Sequence, residues 1–217
     1  MRLFIALLLC LFVRCPMFGQ NPAEAPSPLE KGALFTGASG YFLNSRTTLG
    51  GLNAPVTTAA LSPKIQYFIQ EHTALLAGVD LRSEQVRTIG MEEERRQFVA
   101  GAFFGLRQYY VIPAVSKLFI YNEIQVNASQ GRTTLTVAGI DSVNLETGFG
   151  GSYNLGLALA PAERLLFTVE VGSVFFRQSF FQPENGTPAS RLQNREVGVR
   201  LISQGLIVGL NVRLNKP

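Results

Sequence analysis

Cysteine, histidine and tryptophan are nearly missing from this sequence of 217 residues. It has two cysteines, one histidine and no tryptophan, and charged residues make up 16% of it. Both cysteines, Cys10 and Cys15, lie near the N-terminus, so the rest of the chain has no thiol for a disulfide framework or a thiolate metal site. A single histidine, His72, also argues against a zinc or redox-metal site. We therefore expect no cofactor and no metal.

The N-terminus has the features of an export signal. Arg2 precedes an apolar run from Leu3 to Val13, and Pro16 and Gly19 follow it. The run is shorter than the ~20 apolar residues that a membrane-spanning helix needs, so residues 1–19 are predicted to be a cleaved signal peptide. Residues 20–31, rich in proline, predict a short flexible leader. Residues 32–217 then form one domain.

The net charge gives little reason to expect a nucleic-acid partner. The formal charge of +4 includes Arg2 and Arg14 in the predicted signal, so the mature chain is closer to neutral. Proteins that bind nucleic acid usually carry a strongly basic patch or stripe.

Apolar and polar residues alternate along most of the chain. In SPKIQYFIQEHTALLAGVDLR, residues 62–82, the alternation breaks only at Glu71, His72 and Thr73. A two-residue period is typical of strands with one apolar face, and the break predicts the turn of an antiparallel hairpin. After the signal, no segment shows the helical period. We predict an all-β chain of eight strands, at about 33–46, 56–70, 74–87, 95–110, 117–129, 140–158, 164–178 and 192–214.

The last predicted strand changes its alternation near Ser203, Gln204 and Gly205. Apolar residues occupy odd positions from Val197 and even positions up to Val212. A bulge or an additional turn is therefore expected there.

The links between the predicted strands are alternately short and long. QEHT, VIPAVSK and APAE are short, whereas RTTLGGLNAP, TIGMEEER, QGRTTLTVAG and QSFFQPENGTPASR are longer. Short periplasmic turns, longer external loops and an even strand number are typical of outer-membrane barrels. The pattern predicts an eight-stranded antiparallel up-and-down transmembrane β-barrel in the bacterial outer membrane.

Charged residues of both signs occur in equal number on the polar face of the predicted strands. They are Lys64, Arg82, Arg107, Arg200, Arg213, Asp80, Glu123, Glu146, Glu170 and Glu196. A narrow closed interior requires such a balance because an unpaired buried charge costs several kcal/mol. We predict that they form an interior ion-pair ladder that plugs the barrel. Turns centred on His72 and Val115 place Lys64 opposite Asp80 and Arg107 opposite Glu123.

Aromatic residues cluster near the predicted short turns. They are Tyr67, Phe68, Tyr109, Tyr110, Phe119, Tyr153 and Phe167. We expect them to form a girdle at the periplasmic interface of the membrane, although aromatic residues also favour strands in general.

A soluble, lipocalin-like barrel is the alternative architecture. It would have the same strands and period, but it would be secreted, bury its apolar face and bind a small apolar ligand inside. Periodicity alone does not separate the two. The balanced charges, the export signal and the alternating links favour the membrane barrel.

Four segments carry a resemblance to a known family. LSPKIQYFIQEHTALLAGVDL, FVAGAFFGLRQYY, LFIYNEIQV and LIVGLNVRLN resemble strands of the small outer-membrane β-barrels common in Bacteroidota, related to the OmpX, OmpA-barrel and opacity-protein group. The resemblance implies a fold and a location. It implies no activity.

The sequence predicts no enzyme. His72 falls in a short turn on the periplasmic side, where a solvated turn residue is expected, and a barrel hydrolase acting on envelope lipid would need a histidine near the outer leaflet. GFGGSYNLG, residues 148–156, lacks the following helix of a phosphate loop, so small residues for interior packing are the better interpretation. The expected partners are outer-membrane lipid, the assembly machinery and an unidentified partner of the external loops, first sought at Phe180, Phe181 and Pro183.

Overall fold

The computed structural model describes residues 29–49, 52–88, 93–112, 115–184, 192–201 and 207–215. These residues form β1 (Leu34–Leu49), β2 (Leu52–Gln70), β3 (Thr73–Thr88), β4 (Glu93–Ile112), β5 (Val115–Val137), β6 (Ile140–Ala162), β7 (Leu165–Pro183), β8 (Leu192–Leu201) and β9 (Ile207–Arg213). All eight predicted strands are present, and the eighth is in two parts. The predicted signal lies outside the described residues, as do Ser203, Gln204 and Gly205.

The strands form one antiparallel sheet that closes into a ring. Sequence neighbours pair from β1 to β7, and β9 lies between β7 and β1. The β1–β9 contact runs from Phe35↔Arg213 to Gly40↔Val208. Among the described residues, no strand pairing joins β1 to β8, which pairs with β7 alone.

The last strand is interrupted where its alternation changes. Both β8 and β9 are antiparallel to β7, so they run in the same direction. Gly172 pairs with Leu201, whereas Glu170 pairs with Ile207. The last strand therefore has four extra residues relative to β7 at this level. Val171 of β7 is a bulge at the same level, since Leu155 and Gly156 of β6 pair with Gly172 and Glu170.

The strands are much longer than a membrane requires. β5 and β6 have 23 residues each, about twice the ~9–11 residues that cross a bilayer. Most residues predicted as long external links continue the strands instead, because β1–β2 pairing reaches Leu49↔Leu52 and β5–β6 pairing reaches Val137↔Ile140. We call the parts of the β3–β4 and β5–β6 pairs farthest from the short turns, residues 84–88, 93–97 and 130–147, the external hairpins.

Large apolar side chains face outward on every strand of the ring. They include Leu61, Ile65, Val79, Phe98, Phe104, Ile120, Val126, Leu145, Phe149, Leu155, Phe167, Val199 and Leu210, all at least 39% exposed. Charged residues in the middle of the same strands, such as Arg107 and Glu123, face inward and are buried. This is the reverse of a soluble barrel, so the lipocalin-like alternative is wrong.

The chain before β1 closes the end of the barrel that carries the short turns. Leu29 and Ala33 are fully buried; the amide of His72 donates to Leu29 O at 2.9 Å, and the amide of Gly32 donates to Phe68 O at 2.8 Å. The sequence predicted a flexible leader through residue 31. Its last three residues belong to the folded barrel instead, because Leu29 fills the apolar opening beneath β2 and β3.

Three of the predicted girdle aromatics lie inside the barrel. Phe68, Tyr109 and Phe119 are buried, and they form one core cluster with Leu29, Ala33, Phe35, Ala74, Tyr121, Ala158, Ala160 and Leu166. Phe68 stacks on Tyr109 with ring centroids 5.7 Å apart. The girdle prediction is wrong for these three because their positions have the inward parity. Tyr67 and Phe167 do face outward.

A charge on the outward face should destabilise the barrel strongly. Val126 is 57% exposed and lies between Phe104 and Gly151 of the neighbouring strands. Val126→Arg should cost about 2–4 kcal/mol near the bilayer centre, against about 0–1 at the interface. The urea midpoint of the protein folded into lipid vesicles measures this cost.

Gln130→Arg is the matched control. It lies on the same face of β5, two positions before the natural Arg132, and should change the midpoint little. Equal effects of the two substitutions would contradict the assignment of this face to lipid.

Candidate functional site

A buried ion pair links β4 to β5 inside the barrel. Arg107 pairs directly with Glu123 in the strand register, as predicted. Arg107 Nε donates to Glu123 Oε2 at 2.7 Å, and Nη2 donates to the same oxygen. Asn154 of β6 donates to Glu123 Oε1 at 3.2 Å. Both carboxylate oxygens are therefore occupied, as a buried charge requires.

Aromatic rings lie directly below this ion pair. The Arg107 guanidinium lies 4.1 Å from the centroid of the Tyr121 ring and 5.9 Å from that of Tyr109. Arg107 Nη1 also donates to the Tyr109 hydroxyl at 3.3 Å, and Gln66 Nε2 donates to it at 2.7 Å. A guanidinium over an aromatic face is favourable, more so away from water. We call Arg107, Glu123, Tyr109 and Tyr121 the central cluster.

Two further groups of charges lie toward the external hairpins. Glu146 accepts from Arg177 at 2.6 Å and from Gln97 at 2.7 Å. Nearby, Glu84 accepts from Arg82 at 2.6 Å and from Arg95 at 2.8 Å. These groups join β3 to β4 and bring β4, β6 and β7 together across the interior.

The predicted opposition of Lys64 and Asp80 is wrong by two residues. Lys64 pairs with Gly78. This pair and the pair Leu61↔Leu81 flank Ser62, and the register between them places Ser62 opposite Asp80. The turn occupies only Glu71 and His72, and the register shifts once more between Phe68 and Gln70. Lys64 and Asp80 still line the same cavity.

The other predicted ladder residues are divided among several places. Glu170 lines the cavity with Lys64 and Asp80, and Glu196 lines it from β8 while remaining exposed. Arg213 lies at the short-turn end, where its Nη2 donates to Glu30 at 2.6 Å. Arg200 pairs with Ser173 in the register, and its side chain is outside the described set. The charges form separate pairs and clusters along the interior, not one continuous ladder.

The sequence missed Arg177 because of the bulge at Val171. Strict alternation with Leu165 and Phe167 would place Phe175 on the outward face, and Arg177, two residues later, with it. The bulge reverses the parity, so Phe175 lies against Gly198 and Arg177 reaches Glu146. The sequence did contain a signal for the bulge, because an arginine at a position that alternation would place in lipid indicates a change of parity. Glu30 was missed because the leader was expected to be flexible.

The predicted packing role of the small residues in GFGGSYNLG fits their surroundings. A side-chain Cβ at Gly150 would lie 3.1 Å from Asn127 Oδ1, and one at Gly148 would lie 3.2 Å from the hydroxyls of Ser129 and Ser179. Gly156 packs directly under the Tyr121 ring. The whole segment lies within β6.

A cavity of about 290 Å³ lies in the barrel above the central cluster. Its walls combine charged residues with the aromatic side chains of Tyr41, Phe103 and Phe175. Ligand sites in proteins usually have about 300–1,000 Å³, so this cavity is at the small end. It is the candidate functional site.

Outside the cavity, Phe180, Phe181 and Pro183 belong to β7, not to a loop. The Phe180 ring lies 6.4 Å from that of Phe149, so Phe180 is part of the wall.

Among the described residues, no group of three or more His, Cys, Asp or Glu side chains is placed to hold a metal ion. No helix within them is long and apolar enough to cross a membrane.

Several solved outer-membrane proteins are similar to this ring of strands. A major outer membrane protein from Thermus thermophilus superimposes with a TM-score of 0.50 and 9% identity, over 84% of this chain and 99% of that one. Neisserial surface protein A gives a TM-score of 0.40 and 12% identity, over 85% and 100%. OprG from Pseudomonas aeruginosa gives 0.44 and 14%, over 88% and 100%. No protein-family model and no curated protein matches the chain.

The likeness to the Thermus protein shows the fold, an outer-membrane type of β-barrel, and confirms the predicted fold class. The outward apolar surface and the inward charges require lipid around this barrel. The protein is therefore an integral outer-membrane protein.

Loss of the Glu123 charge should destabilise the barrel. Glu123→Gln keeps the shape of the side chain but leaves Arg107 as a buried uncompensated charge, which costs about 3–5 kcal/mol. The urea midpoint in lipid vesicles should fall accordingly. The double variant Arg107→Met/Glu123→Leu should recover much of the loss, because it removes both charges.

Glu184→Gln provides the surface comparison for this ion pair. Glu184 pairs with Arg132 at 3.1 Å, and both side chains are exposed, so little change is expected. Equal urea midpoints of Glu123→Gln and Glu184→Gln would show that the buried Arg107–Glu123 pair contributes no more to stability than the exposed Arg132–Glu184 pair.

His72 should make stability depend on pH. It lies in the β2–β3 turn with φ 61°, and burial lowers its pKa below the usual 6.5, against the opposing effect of Glu71. Below pH 6.5 the histidine binds a proton more readily in the unfolded chain than in the folded one. The contribution of neutral His72 to the free energy of unfolding is therefore complete above that pH and is lost as the pH falls.

His72→Asn tests this effect, because asparagine also tolerates positive φ. Urea midpoints measured between about pH 5 and 8 should fall less steeply on acidification in His72→Asn than in the natural protein. Parallel pH curves would exclude a role for His72.

Proposed function

We propose that this protein is a non-enzymatic outer-membrane barrel with a structural role or a binding role of its external hairpins. Its interior is plugged by charged, polar and aromatic side chains. The finer kinship with the OmpX, OmpA-barrel and opacity-protein group rests on the four resembling segments and stays a prediction.

The observation that carries the proposal is the filling of the short-turn half of the barrel. The central cluster lies above the buried rings of Phe35, Phe68 and Phe119, and Leu29 packs beneath them. An eight-stranded barrel has an interior just wide enough for its own side chains. These layers of buried side chains lie between the cavity and the short-turn end, and they support a plug over a pore.

The absence of a catalytic role is also part of the proposal. His72 lies at the short-turn end beside Phe119, with ring centroids 6.0 Å apart. A hydrolase acting on the outer leaflet would need a general base at the opposite end of the barrel. Nothing in the described interior supplies a histidine there.

The external hairpins support a binding role. They extend beyond the apolar belt with exposed charges such as Arg95, Arg96 and Arg132. Binding residues are often presented on such projections from a rigid scaffold. Outer-membrane lipid around the belt and the assembly machinery during insertion are the other proposed partners, with no role for nucleic acid.

Ion conductance tests the plug. The protein reconstituted into a planar bilayer should show no steady open-channel conductance, because no water-filled route crosses the central cluster and the rings below it. The paired variant Tyr109→Ala/Phe119→Ala removes two of these rings and should raise the conductance above that of the natural protein.

Folding must be verified in both proteins by the gel mobility shift on boiling, which reports a closed barrel. A steady ohmic conductance of the natural protein, unchanged by the ring deletions, would overturn the plug and favour a pore.

A further inference from the structure

Lys64 is a buried cation that forms no ion pair with another described residue. It is 8% exposed, and its Nζ donates one hydrogen bond, to Ser39 Oγ at 3.3 Å. None of the ion pairs between described residues includes it. An ammonium has three donors, and a buried charge is costly unless it is paired. Lys64 therefore has donor capacity for a further group inside the barrel.

The strand register explains why Lys64 has no close ion pair on the adjacent strands, although Asp80, Glu123 and Glu170 line the same cavity. Its cross-strand partners are Gly37 on β1 and Gly78 on β3. Neither glycine has a side chain that could accept a hydrogen bond. No larger side chain fits at either position, because a Cβ at Gly37 would collide with Leu210 O and one at Gly78 would collide with Pro63 O.

A second cationic side chain has an unmet donor at the same cavity. Arg82 Nη2 is paired with Glu84, but Arg82 Nε is buried without a hydrogen-bond partner. Both Lys64 and Arg82 line the cavity of about 290 Å³. The central pair of Arg107 and Glu123 at its floor is already satisfied.

The cavity walls restrict the chemistry of a ligand. Asp80 and Glu170 line the same space and would repel a second negative charge, which disfavours a phosphate dianion. Tyr41, Phe103 and Phe175 offer apolar surface. The small volume leaves room for an acidic group and a short chain.

We propose that this cavity binds the carboxylate of a small organic acid, with Lys64 as its ion partner and Arg82 as a further donor. This adds a ligand site within the barrel to the proposed function, and it depends neither on the external hairpins nor on the conductance result.

Two routes could deliver the same chemistry. The acid could enter from the external solution, or it could be the head group of an amphiphile in the outer leaflet. The second route would use the β1–β8 flank, where the described strands are not paired. Tyr41 of β1 and Glu196 of β8 line the cavity on that side.

Calorimetric titration of the full protein in lipid nanodiscs tests the site with three probes of equal chain length. Hexanoate should bind at least tenfold more tightly than hexanol or hexylammonium, because only hexanoate can neutralise Lys64. Lys64→Met should weaken hexanoate binding by at least tenfold. Lys117→Met is the matched control, since exposed Lys117 donates to Pro161 O at the short-turn end; it should bind as the natural protein does.

The outcomes separate the proposal from its alternatives. Equal binding of hexanoate and hexanol, or equal affinity in Lys64→Met and the natural protein, would overturn it. If Lys64→Met fails the gel-shift test of folding, Lys64→Arg replaces it and should retain hexanoate binding. Weaker hexanoate binding in nanodiscs whose lipid contains dodecanoate would support the lipid route. Unchanged hexanoate binding in those nanodiscs would support entry from solution.

Discussion

The structure depends on one constraint: backbone groups in hydrocarbon have no water with which to form hydrogen bonds. Each must find a partner within the sheet, so strands in a membrane close into a ring. Here β9 supplies the closing pairs to β1. The four extra residues between β8 and β9, level with the bulge at Val171, show where this closure is locally irregular.

Ring closure also explains why the charges lie inside. Lipid covers one face of each strand, so polar side chains must occupy the other, which lines a narrow interior. The interior meets this demand in layers. Aromatic rings and Leu29 fill the short-turn end, the Arg107–Glu123 pair lies above them, and the cavity with Lys64 lies above that pair. Each charge is tolerable only where a partner, water or ligand compensates it.

Some of this interior was predictable from the sequence, and some was not. The opposition of Arg107 and Glu123 followed from the position of a single turn, because the two residues lie on adjacent strands. The same reasoning failed for Lys64 and Asp80, since the turn centre and one irregularity near Phe68 moved the partner by two residues. Strict alternation would place Phe175 on the outward face, and it lies inside because nothing in the local alternation marks the bulge at Val171.

The sequence by itself determined the all-β class, the alternation of two faces along most strands and the inward placement of charges such as Arg107 and Glu123. These follow from side-chain polarity with a period of two, which any strand between lipid and a polar interior must obey. Only the tertiary structure decided that Arg177 meets Glu146, that Arg213 meets Glu30, and that two glycines flank Lys64. Such contacts depend on the register between strands and on ring closure, which join residues far apart in the chain.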